Sequence, residues 1–198
     1  MYSRTLVISS LLPASFLALL LLSGCSVNVN KDAEKGSKNV DINTPIGGIH
    51  VRKQADARAT GLDIYPGAKP VDEEKDGDEK SADVNISTAF FGLKVVAQEY
   101  RSDDPPDKLI NFYTSQLAKF GKVLHCRGSW QGGGHATMSK HDKDDKSKEL
   151  KCEENSGDSV ELKVGTEENQ HIVAIKPEGK GSRFALVYVR VRGNDETI

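Results

Sequence analysis

The stretch Phe184-Ala185-Leu186-Val187-Tyr188-Val189-Arg190-Val191 is apolar at almost every position. A strand with one solvated face alternates between apolar and polar residues, so an unbroken run of this length needs cover on both faces. Such a strand belongs in the middle of a sheet, and the rest of the chain must supply its neighbours and its covering layers. Several stretches can pair with it. Leu93 to Tyr100 has apolar residues on both faces, Val84 and Ile86 alternate, and Ile172 to Ile175 is a short apolar strand. Val160-Glu161-Leu162-Lys163-Val164 alternates cleanly and reads as a half-exposed strand. Lys122 to Cys126 begins another. Between Val40 and Arg52 apolar residues alternate on both sides of Gly47-Gly48, which predicts a hairpin turning at the glycines, with Pro45 at an edge or bulge. Residues 54–60 have room for a turn or two of helix. Tyr65-Pro66-Gly67-Ala68 predicts a type II turn.

One helix stands out, over about 105–120. Asp104 is a suitable N-cap, Pro105 fits the first helical position, and Asp107 can complete a capping box. Leu109, Phe112, Tyr113, Leu117 and Phe120 recur at helical spacing as one stripe, and Gly121 suits the position after the end. Strands, one helix, then more strands predict an α+β fold. Its antiparallel sheet has about five to seven strands, with the helix packed on one face. Residues 40–192 form one domain, with a tail over 193–198. Only 37% of the residues are hydrophobic and 6% aromatic, so the core is modest and carries long polar segments at 69–81 and 127–151. With 27 basic and 29 acidic residues, no basic face for nucleic acid is indicated.

The N-terminus bears on location. Met1 to Gly24 holds one basic residue, Arg4, and no acid, and Leu6 to Leu22 is nearly continuous apolar sequence. That run is short for a membrane span and fits a secretory signal peptide. It ends in Leu22-Ser23-Gly24-Cys25, which resembles the bacterial lipobox. The resemblance implies cleavage before Cys25, a diacylglycerol thioether on Cys25, and usually an N-acyl chain. An ordinary signal peptide cut nearby and an uncleaved anchor are the competing readings. Ser26 follows the cysteine where an Asp would retain a lipoprotein in the inner membrane, which favours the outer membrane. Ser26 to Asn39 is polar with almost no apolar period, so 25–39 is expected to be a flexible tether.

With Cys25 lipidated, Cys126 and Cys152 remain. An even pair in an oxidising compartment predicts a disulfide closing a Gly-rich polar loop. The competing reading is metal ligation, because His125, His135 and His141 lie in or beside that loop with Asp142, Asp144 and Asp145. The spacing is irregular, and no Cys-x-x-Cys or His-x-x-x-His pair occurs. No cofactor is predicted. Trp130 can anchor the loop on the sheet or stack on a partner.

A catalytic set is not legible. Gly128-Ser129-Trp130-Gln131-Gly132 does not match the Gly-x-Ser-x-Gly elbow. His125 and Cys126 are strand neighbours that point to opposite faces. Gly132-Gly133-Gly134 lacks the Lys-Ser/Thr of a phosphate loop.

Thr44-Pro45-Ile46-Gly47-Gly48, Tyr65-Pro66-Gly67-Ala68, and Asp104-Pro105 with Phe112-Tyr113 and Leu117 resemble a family of uncharacterised bacterial secreted proteins and lipoproteins. The resemblance spans about residues 40–126 and implies no activity. The expectation is a lipid-anchored envelope protein that is not an enzyme and works as a binding or assembly module. It would hold the membrane through Cys25 and contact other envelope proteins. The alternative is a small-ligand or metal-binding lipoprotein using the 126–152 loop.

Overall fold

The computed structural model describes residues 25–31, 38–53, 55–71, 81–130, 149–152 and 156–193. The strands are β1 (Ser26–Lys31), β2 (Lys38–Thr44), β3 (Gly47–Arg52), β4 (Lys69–Pro70), β5 (Ser81–Thr88), β6 (Phe91–Ser102), β7 (Leu124–Gly128), β8 (Ser159–Thr166), β9 (Asn169–Glu178) and β10 (Gly181–Gly193). The one α-helix among the described residues, α1, is Pro106–Leu117. No helix among these residues is long and apolar enough to cross a membrane. All strand pairs are antiparallel. The ten strands form one sheet in the order β1-β2-β3-β5-β6-β10-β9-β8-β7, with β4 also on β6. The expected architecture holds, but five to seven strands was too few. The fold is mostly sheet.

β10 lies between β6 and β9. Phe184 and Leu186 face the helix, in a core with Tyr100, Leu109, Tyr113, Leu117, Leu162, Val173 and Ile175. Ala185, Val187 and Val189 face the other way, in a second buried cluster with Ile172 and Ala174. Both faces of β10 are therefore covered, as its composition requires. Burying each large aliphatic or aromatic side chain contributes roughly 1.5–3 kcal/mol.

The Tyr-Pro-Gly-Ala turn is locked to the helix. Ala68 N–H donates to Tyr65 O at 3.0 Å, and Gly67 sits at φ 78°, as a type II turn demands. Tyr65 N–H donates to the buried Tyr113 hydroxyl at 3.0 Å, and the Tyr65 ring meets Phe112 edge-on at 5.2 Å. Burial holds the Tyr113 phenol well above its ordinary value. The helix start differs from the prediction: Pro105 is the N-cap and no side chain caps it. The Asp104 carboxylate instead accepts from Lys108 Nζ at 2.6 Å and from the Tyr65 hydroxyl at 2.9 Å. Asp104 thus ties the turn to the helix rather than closing the helix end. A 3-10 turn (Ala118–Phe120) extends the helix to Gly121, which has φ 138°.

Three further expectations change. The first hairpin turns at Pro45-Ile46, because Thr44 pairs with Gly47. Gly47 is needed inside the strand, where a Cβ would run into the backbone oxygen of Ser87 on β5. Ser26–Lys31, expected within the tether, is the edge strand β1 on β2. Its Ser26-Val27-Asn28-Val29 alternation is too short to stand out in sequence. Val160–Val164 is not half-exposed. Glu161 and Lys163 are buried and paired at 2.9 Å beneath the second face. Another buried ion pair lies at the far end of that face. Arg183 donates from Nε to Glu99 Oε2 at 2.8 Å, with Nη2 2.7 Å from the same oxygen. Arg101 joins Glu178 at 2.7 Å beside it.

The Cys126–Cys152 disulfide is present, with Cα atoms 5.4 Å apart and a sequence separation of 26. It fastens the edge strand β7 to the segment leading into β8. Chain entropy for a loop of this length gives about 3.5 kcal/mol. Reduction, or a Cys126→Ala/Cys152→Ala double variant, is expected to lower unfolding stability by about that amount in urea titrations. Arg183→Leu leaves the Glu99 carboxylate buried and unpaired, and is expected to cost about 3–5 kcal/mol by the same measurement. An Arg183→Leu/Glu99→Leu double variant should recover most of that loss.

Candidate functional site

The 126–152 region does not assemble a metal centre among the described residues. Cys126 points inward from β7 and is bonded to Cys152. Its neighbour His125 faces the other way and is exposed. His135 and His141, with Asp142, Asp144 and Asp145, lie outside the described residues. No group of three or more His, Cys, Asp or Glu able to hold a metal occurs among those described. Trp130 is half-buried against the second apolar cluster, with Lys176 Nζ 4.9 Å from its ring centroid. The ring thus packs on the sheet beneath a cation.

A different surface gathers polar groups. β1, β2, β3 and β5 extend the sheet beyond the region packed by α1. On the helix-side face of this wing, Asp41, His50, Asn85, Lys94 and Arg190 stand in one cross-strand row. The register pairs Asp41 with His50, His50 with Asn85, Asn85 with Lys94, and Lys94 with Arg190. The next row pairs Arg52 with Asp83. His50, Arg52, Asp83, Asn85 and Lys94 line a cleft of about 300 Å³. A shallower hollow of about 210 Å³ continues from Asn85 and Lys94 to Arg190 and Arg192.

Within the cleft, His50 Nδ1 lies 2.6 Å from Asp41 Oδ1. Gly48 keeps the space beside the ring open, since a Cβ there would sit 3.2 Å from His50 Nε2. Gly92 does the same for Arg192, whose Nε would be 3.5 Å from a Cβ at that position. Lys94 and Arg190 are like charges directly opposite each other, an arrangement that destabilises a strand pair. The cleft thus offers cationic donors, an Asn and two carboxylates on an open floor. It can hydrogen-bond a polar partner, and the donors can meet an acidic one. Sequence reading missed it because its members come from five strands whose spatial order the sequence does not show. The visible trace was the polar half of the Val40–Arg52 alternation.

His171, on β9, belongs to the frame behind this surface. Its ring stacks on Phe120 at 3.9 Å and leans on Tyr188 at 4.9 Å. Nδ1 lies 2.8 Å from Thr60 O, so the neutral ring donates there. Desolvation lowers the His171 pKa below its ordinary 6.5, opposed by the bond to Thr60. The depressed folded value gives the sign. The neutral ring's contribution is complete above the unfolded value and is lost as pH falls through the folded one. Urea midpoints are expected to fall as pH drops through and below His171's ordinary value of 6.5, and the slope to flatten in His171→Phe, which carries no titrating ring there.

Comparison with protein-family models, with curated proteins and with solved structures finds no match.

Proposed function

We propose that this chain is a lipid-anchored cell-envelope module that works by contact rather than catalysis. It would be held on the membrane through Cys25, with the outer membrane favoured. The observation that carries this reading is the two-sided wing. β1, β2, β3 and β5 continue the sheet past the helix and present a polar cleft on one side. On the other side they present the apolar residues Val27, Val29 and Ile49, all exposed. A sheet extended beyond what its core needs is suited to holding a partner. Lys94, Arg190 and Arg192 favour an envelope protein that brings acidic groups to the cleft. The small-ligand or metal reading of the 126–152 loop is weaker, because the disulfide removes both thiolates from any ligand set.

Two measurements test the proposal. Intact mass of protein extracted from its native membrane is expected to lack residues 1–24 and to carry acyl mass on Cys25. An unacylated mature chain would return the protein to the soluble secreted pool. Crosslinking in intact envelopes through a photoreactive residue at Asn85 is expected to trap a defined partner. A Lys94→Glu/Arg190→Glu variant should lose that product while keeping its urea midpoint.

A further inference from the structure

The wing has a second feature, at one end of its strands. Thr44 pairs with Gly47 and closes the Pro45-Ile46 turn. Gly47 in turn pairs with Thr88, so the turn through Ala89 and Phe90 lies at the same end. Phe91, the first residue of β6, pairs with Gly193 there. Ile46 is 78% exposed and Phe90 73%, the two highest values among the exposed large apolar residues described, and Phe91 is 39% exposed. Cys25 reaches the same end. It directly precedes Ser26, which pairs with Asn43, two residues before the Pro45-Ile46 turn. Val27, 63% exposed, is next on β1.

Tight turns at the exposed end of a sheet ordinarily carry Gly, Asn, Asp or Ser. Here two of them carry Ile46 and Phe90. They are also held in place. The Thr44 hydroxyl donates to Gly47 O at 2.8 Å. The Thr88 hydroxyl accepts from Phe91 N–H at 2.9 Å and from Phe90 N–H at 3.3 Å, and donates to Phe91 O at 3.0 Å. Ile64 and Phe120, the other exposed large apolar residues away from the wing among those described, do not share this end. Ile64 precedes the Tyr65 turn, and Phe120 stacks on His171.

We propose that this end of the sheet is a bilayer-docking tip, with Ile46, Phe90 and Phe91 entering the interfacial layer beside Cys25. Rigid apolar and aromatic tips suit that layer, where a ring can sit at headgroup depth. The occupant is a bilayer rather than a protein because the described chain enters the fold here, through Cys25, the cysteine expected to carry acyl chains. The tip rests on that reading for its orientation. Two or three acyl chains already hold a protein on a bilayer, so the tip would fix how the sheet is oriented on the membrane rather than whether it stays there. Charge does not select the lipid. Arg190 and Arg192 stand near this end, but Glu167 and Glu168 of the β8–β9 turn stand there too, since Asn169 pairs with Arg190. The contact is therefore expected with neutral phosphatidylcholine.

The test uses the full chain, expressed in a double-membrane bacterium, extracted, and reconstituted into phosphatidylcholine vesicles with bromines near the top of the acyl chains. Phe90→Trp places a fluorescent reporter at the tip. Lys180→Trp places one at the β9–β10 turn, the opposite end of β10. The wild-type signal from Trp130 is subtracted from both. If the tip sits roughly 5–10 Å into the interface, the tip reporter should be quenched roughly threefold or more over the distal one. Intact mass of the same sample reads the anchor separately. Acyl mass with both reporters equally unquenched overturns the tip and leaves the anchor standing. Quenching of the tip reporter without acyl mass supports the tip and overturns the anchor. An unquenched tip reporter that becomes shielded from iodide only as protein density rises assigns this end to a contact between copies, and overturns the bilayer.

Discussion

The fold depends on burying both faces of β10. Phe184 and Leu186 need a helix, and Ala185, Val187 and Val189 need cover on the other side. β6 and β9 are recruited as flanking strands, and each has the two-sided apolar character that such a position demands. Because β10 is the last of the described strands, its partners must wait for it. β6, which ends at Ser102, has no neighbour on its inner side until β10 begins at Gly181. The late strand is the piece that turns two half-sheets into one.

Strong periodicity was legible; spatial adjacency was not. The central strand, the helical stripe of Leu109, Tyr113 and Leu117, the Tyr-Pro-Gly-Ala turn and the cysteine pair were all readable, because each is decided by residues near one another or by simple counting. Two sequence signals pointed to the wrong residues. Gly47-Gly48 looks like a turn, yet Gly47 is required by the close passage of β5 rather than by the reversal. Asp104 looks like a cap, yet its carboxylate is committed to Tyr65 and Lys108. The Glu161 and Lys163 alternation looks solvated, since charged residues ordinarily are. The two charges answer each other instead, and only their shared burial reveals it. The polar cleft was hard to read for a related reason: Asp41 with His50, Asn85 with Lys94, and Arg190 lie in three separate stretches of the chain that meet only through the strand order.

The two halves of the sheet differ in what holds them. Around β8, β9 and β10, backbone pairing is backed by two buried layers and by a disulfide. In the wing, pairing is backed by half-buried side chains and by no helix among the described residues. Local opening should therefore start at β1 and β2 and leave the central strands protected. Under the proposed contact role, the surface would lie where adjustment to a partner disturbs the core least.

The buried pairs also act as position marks. Glu161 with Lys163, and Glu99 with Arg183, all lie on the face away from the helix. Sliding β8 or β6 by one residue along its neighbour would turn those charges onto the side occupied by Tyr113, Phe184 and Leu117. There they would meet rings and aliphatic carbons, and Glu99 on β6 would be parted from Arg183 on β10. A strand made only of Val, Ile and Leu could tolerate such a slip, because either face would be greasy enough. These four buried charged residues favour one alignment of β6, β8 and β10. The same pairs that add little net stability thus make misaligned sheets prohibitively unfavourable.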